Sequence, residues 1–151
     1  MASPQQPPSL AAATPALATT ATQTFSVTAR DPNGATDINR IYFLVNANTS
    51  IPAGTCHGFY DRPANAIYLY NDALTTLSAP LVPGTAATIQ NSQCAINGAT
   101  TSVTASGTDL ILKLSITRQG SYATGTRNLY TWITDTANTG TGWLQISSWQ
   151  L

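Results

Sequence analysis

The chain has 151 residues, no net charge, and only 8% charged residues against 42% apolar ones; soluble domains usually carry about 25% charge. Its five arginines and single lysine, Lys113, stand apart from one another, so no basic stripe exists to neutralise a run of phosphates, which argues against nucleic-acid binding. No apolar run reaches the roughly 18 residues of a membrane span, and no membrane insertion is expected.

The length suits one domain with a hydrophobic core. Glutamate is absent, so Thr, Ser, Asn and Gln must provide solubility. Such a surface fits a secreted or cell-surface protein, or a module within a longer chain. In chain order, Met1 to Pro8 is proline-rich, and Leu10 to Thr22 is rich in Ala and Thr. Residues 1–22 lack the basic start and long apolar stretch of a signal peptide. They read as a flexible leader or linker, or as a strand donated to a neighbour's sheet edge.

Residues 23–151 read as one β-domain. Phe25, Val27 and Ala29 alternate with polar residues, as on a half-buried strand. Asp31-Pro-Asn-Gly is a strong turn signal. Ile41 to Asn46 is apolar on both faces, as in a central strand. Short strands follow over His57 to Tyr60 and Ala66 to Asn71. Asp72 to Gly84 reads as a long connection. Further strands are expected near Ala86 to Ile96 and Thr101 to Ala105. In Asp109 to Arg118, Leu110, Leu112, Leu114 and Ile116 line one face. Asn128 to Asp135 and Trp143 to Trp149 close the series, and Trp132 has the position of a core tryptophan. Eight to ten strands without helical periodicity predict an all-β fold, a two-sheet antiparallel β-sandwich.

Cys56 and Cys94 are the only cysteines. They are expected to form one disulfide, on neighbouring strands, in an oxidising compartment. His57 is the only histidine, which leaves zinc without enough ligands. A catalytic Cys-His pair is disfavoured because adjacent strand residues face opposite ways. Asp61 and Asp72 flank a short strand, but nothing in their spacing sets them across a cleft as a glycosidase requires. No enzyme is expected.

Two candidate sites remain. Asp31, Asn33 and Asp37 could supply oxygens to Ca2+, with Asp135 or Asp72 as a remote addition. A capped Pro-Asn-Gly turn accounts for the same residues without a metal, and no other cofactor is implied. The second candidate is an aromatic platform. Tyr42, Tyr60, Tyr68, Tyr70, Tyr130, Trp132, Trp143 and Trp149 supply flat rings. Tyr68 with Tyr70, and Tyr130 with Trp132, share strand faces by their spacing of two. If exposed on one sheet, those four would bind carbohydrate; if buried, they are core.

Several motifs carry a resemblance. They are Asp31 to Gly34, Phe43 to Asn46, Cys56 with Tyr60-Asp61, Tyr68 to Asp72, and Asn91-Ser-Gln-Cys94. The last third adds Leu110 to Ile116, Gly125, Asn128, Tyr130 and Asp135, and departs from the pattern after Asp135. Together they resemble an immunoglobulin-like β-sandwich domain that recurs in secreted or cell-surface proteins of environmental bacteria. The resemblance implies a non-catalytic extracellular module, structural or adhesive, whose partners are neighbouring domains or copies of itself. The alternative is a carbohydrate-binding module that takes a polysaccharide on exposed Tyr and Trp.

Overall fold

Alternating apolar residues dictate two sheets, each with one face turned to a shared core. The computed structural model describes residues 4–151. The first sheet contains β1 (Ser9–Thr14), β3 (Thr22–Arg30), β7 (Thr88–Gln90), β8 (Cys94–Asn97), β9 (Ser102–Ser106) and β10 (Asp109–Arg118). Its order is β1-β3-β10-β8-β7, with β9 also paired to β10. The second sheet runs β2 (Leu17–Ala18), β12 (Leu144–Gln150), β11 (Thr126–Asp135), β4 (Ile38–Asn46), β5 (Cys56–Asp61) and β6 (Ala66–Leu69). Pairing is antiparallel except between β2 and β12, which are parallel. The all-β, two-sheet expectation holds, and β4 is central, between β11 and β5.

The core lies between the sheets. Phe25, Val27 and Ala29 of β3 and the Leu110-to-Ile116 row of β10 face Ile41, Phe43 and Val45 of β4 and Leu129 and Ile133 of β11. Phe43 needs a glycine beside it: a Cβ on Gly58 would lie 2.7 Å from the Phe43 ring and 2.2 Å from the Tyr68 carbonyl. The core tryptophan is Trp149, not Trp132. Trp149 is fully buried and meets Phe25 edge-on at 5.0 Å. Above it lies the buried Arg118 guanidinium, which donates to the carbonyls of Tyr122, Trp149, Thr124 and Gly125.

Two expectations are corrected. Part of the 1–22 segment is not a loose leader: β1 pairs along β3 of its own chain, and the chain then crosses to the other sheet as β2. Most β1 side chains are exposed and small, so no apolar alternation marks the strand. Second, Cys56 and Cys94 are disulfide-bonded, with Cα atoms 5.7 Å apart, but they are not on neighbouring strands. The bond joins β5 of one sheet to β8 of the other. Closing the loop between residues 38 apart stabilises the fold by about 4 kcal/mol in the chain-entropy picture.

The Asn91-Ser-Gln-Cys94 motif also bridges the two sheets. The Asn91 side-chain oxygen accepts from the Gln93 and Cys94 N–H groups, while its amide donates to the Thr55 and Tyr70 carbonyls. Ser92 donates to Asp72 through both its N–H and its hydroxyl.

Candidate functional site

In most sheets with one buried face, the other carries polar residues. Here the outer face of the second sheet is aromatic. Residues alternate along each strand, so the inward set of Ile41, Phe43 and Val45 leaves Arg40, Tyr42 and Leu44 outward. The register aligns these outward residues into rows. Trp132 stands opposite Tyr42, Tyr42 opposite Phe59, and Phe59 opposite Tyr68. This row crosses three strand spacings, about 14 Å. The next row is Tyr130, Leu44 and His57, extended by Tyr70, whose N–H donates to the His57 carbonyl.

The rings pack against one another. His57 stacks on Tyr70 at 4.7 Å and 11°, and Tyr42 lies 5.3 Å from Phe59. Phe59 is buried, as is Leu44, so the face has a small apolar floor of its own outside the main core. The Arg40 guanidinium lies 4.2 Å over the Phe59 ring, donates to the Tyr42 hydroxyl and sits 3.8 Å from Asp61.

The loop from β11 to β12 adds the far wall. Trp143 meets Trp132 edge-on at 5.5 Å and His57 at 5.8 Å. Gly140 is pressed onto the Trp132 indole, where a Cβ would lie 2.3 Å from the ring nitrogen. Asp135 fixes this loop by accepting from the Thr139 N–H, and Thr141 bonds back to Ile133. The result is an open pocket of about 400 Å³ with Tyr42, His57, Trp132 and Trp143 as aromatic walls. Thr134 and Asn138 supply its polar groups, and Ile51 and Gly140 complete it. Burial pushes the His57 pKa down to about 4. Its imidazole is therefore neutral at pH 7, with one nitrogen able to donate and one to accept.

The four expected platform residues share this face but not one surface. Tyr68, Tyr70 and Trp132 are half-buried, whereas Tyr130 is 8% exposed and its hydroxyl is engaged by Asn128. Tyr68 and Tyr70 stand at the β6 side, with β4 and β5 between them and Trp132. The pocket centre belongs to Tyr42, His57 and Trp143. Tyr42 lies in a run apolar on both faces, so alternation could not assign its side. Trp143 reaches the pocket only because the loop folds back. Tyr60 and Trp149 are core.

The oxygen-rich turn departs from its expected membership. Asp31 and Asp37 do approach each other, joined by Asp135, one carboxylate oxygen from each lying within 4.8 Å of the others. Asn33 is engaged elsewhere: its side chain accepts from the Gln6 N–H and donates to the Pro4 carbonyl. Asp72 lies apart, bound to Ser92. No protein-family profile, curated protein or solved structure matches the chain.

Proposed function

We propose that the domain is a non-catalytic extracellular adhesive module of a bacterial surface protein, and that it adheres by binding carbohydrate in the aromatic pocket. The observation that carries this reading is the open pocket between Tyr42, His57, Trp132 and Trp143. Sugar rings present apolar C–H faces and a rim of hydroxyls. Stacked rings receive the former at low entropy cost, and Asn138, Thr134 and neutral His57 can bond the latter. The rings are braced by neighbours before any ligand arrives, which lowers the cost of ordering them. An inter-sheet disulfide supports an oxidising compartment.

The test is a glycan array followed by calorimetric titration of the monomer with the best oligosaccharide. Trp143→Ala stands in a loop and leaves both sheets intact; it should weaken binding at least about tenfold, the loss of one stacking contact. Absence of binding to every glycan, or unchanged affinity in Trp143→Ala and Tyr42→Ala together, would refute the reading. Ordered self-association in place of glycan binding would favour a purely structural module.

A further inference from the structure

At the end of the sandwich away from the disulfide chemistry, three acidic residues converge from separate elements. Asp31 follows β3, Asp37 closes the short 3-10 turn Ala35–Asp37, and Asp135 ends β11. Their facing oxygens lie within 4.8 Å of one another. Two oxygens bound to one Ca2+ at about 2.3–2.6 Å can be at most about 4.6–5.2 Å apart, so each pair is spaced for a shared ion, and a small inward shift of the side chains brings all three onto one.

A second observation points to a ligand. Asp31 is wholly buried; its Oδ1 accepts from the Asn33 N–H at 2.8 Å, while its Oδ2 is buried with no hydrogen-bond partner. A buried carboxylate oxygen facing two further carboxylates is unfavourable while all three are ionised, and a cation held among them relieves it. No arginine pairs directly with the three carboxylates among the described residues: the ion pairs are Arg30 with Asp109 and Arg40 with Asp61, and the Arg62 Nε donates to the Ile38 carbonyl, its charge acting on Asp37 only from beyond pairing distance.

The N-terminal segment closes the cluster. The Gln5 amide nitrogen donates to Asp37 Oδ2 at 2.6 Å and to Asp135 Oδ2 at 3.1 Å. Turned over, the same amide presents its oxygen at that place. Asn33 holds the segment there through Pro4 and Gln6. Thr136 ties the start of the β11–β12 loop to Asp37 through both its N–H and its hydroxyl.

We propose that Asp31, Asp37 and Asp135 form a calcium site, with the Gln5 side-chain oxygen as a further ligand. The donors are all oxygen, which suits a hard cation and not zinc or copper. Second carboxylate oxygens and water complete the six to eight ligands Ca2+ requires; Mg2+ demands a tighter octahedron. The bound ion ties together the N-terminal segment, the β3–β4 connection and the β11–β12 loop.

The experiment is calorimetric titration of the chelator-treated full chain with CaCl2 alone, alongside thermal unfolding with and without calcium. Wild type should bind one ion and melt higher in calcium. Asp37→Asn and Asp135→Asn keep the side-chain shape but remove a charge; folded by circular dichroism, each should bind about tenfold more weakly or worse. Gln5→Ala, at an exposed position, loses its bonds to Asp37 and Asp135 in the calcium-free state; it should bind calcium measurably more weakly and show a smaller calcium-induced rise in melting temperature than wild type, each measured against its own calcium-free form. No heat of binding and no melting shift in wild type would overturn the proposal. Wild-type affinity in both aspartate variants would do so as well.

Discussion

Removing the Asn91 side chain isolates the device that joins the two sheets beside the disulfide. Its four hydrogen bonds run at 2.9 and 3.0 Å to the N–H groups of Gln93 and Cys94, and at 3.1 Å to each of the Thr55 and Tyr70 carbonyls. Cys94 and Thr55 are fully buried, whereas Gln93 and Tyr70 are only half-buried. In Asn91→Ala, water can replace the partners of the latter two, a loss of about 0.5–1 kcal/mol each. The groups on Cys94 and Thr55 stay dry and unpaired, at about 1–3 kcal/mol each. The expected loss is about 3–8 kcal/mol. With a urea slope of about 2 kcal/mol/M for a domain of this size, the midpoint should fall by about 1.5 M or more. Asn91→Asp sharpens the test. It keeps both acceptors but sets a carboxylate against the two carbonyls, so at pH 7 it should be no more stable than the alanine variant. It should recover part of the loss at acid pH, when the protonated group regains a donor. The assay is urea unfolding followed by tryptophan fluorescence with the disulfide intact. A midpoint shift below about 0.5 M for Asn91→Ala would show that water satisfies this junction and would refute the reasoning.

His57 and Arg118 give two further tests. Burial holds the His57 pKa near 4 in the folded chain against 6.5 when unfolded; protons then bind the unfolded state preferentially, so stability is complete above pH 6.5 and is lost as pH falls toward 4. Discounted for the solvent-exposed edge of the ring, the loss is about 1–2 kcal/mol, and the difference in unfolding free energy between wild type and His57→Gln should shrink by that amount between pH 7 and pH 4.5; a constant difference would be the contrary result. Replacing Arg118 with Met leaves the carbonyls of Tyr122, Trp149, Thr124 and Gly125 without their shared donor, and should cost about 3–5 kcal/mol in thermal unfolding, with Arg118→Lys intermediate because an ammonium lacks the planar fork. A loss below about 1 kcal/mol in Arg118→Met would show that the guanidinium is not the element holding the C-terminal strand.

Strand existence was legible in the chain because the β period is local. The Leu110-to-Ile116 row and the Phe25, Val27, Ala29 row each announce a buried face, and both line the core. The two cysteines, being the only pair, could form only one bond. That Asp31 and Asp37 meet was readable from their separation across one turn. Other features were decided by strand order. Residues Ser9 to Thr14 form a strand through backbone pairing with β3, which needs no apolar alternation and so leaves no pattern in their small side chains. Period-two spacing places Tyr68 with Tyr70 and Tyr130 with Trp132, but it does not say what covers each face. The Asn138-to-Trp143 fold-back makes Trp132 border a pocket, while Tyr130 is buried with its hydroxyl against Asn128 and the Ala47 carbonyl. Asp135 reaches Asp31 and Asp37 from about a hundred residues away because β11 lies beside β4. Alternation within a strand is fixed by the geometry of the peptide unit and survives in any fold; which strands become neighbours, and which side chains then share a site, is set by packing over the whole chain.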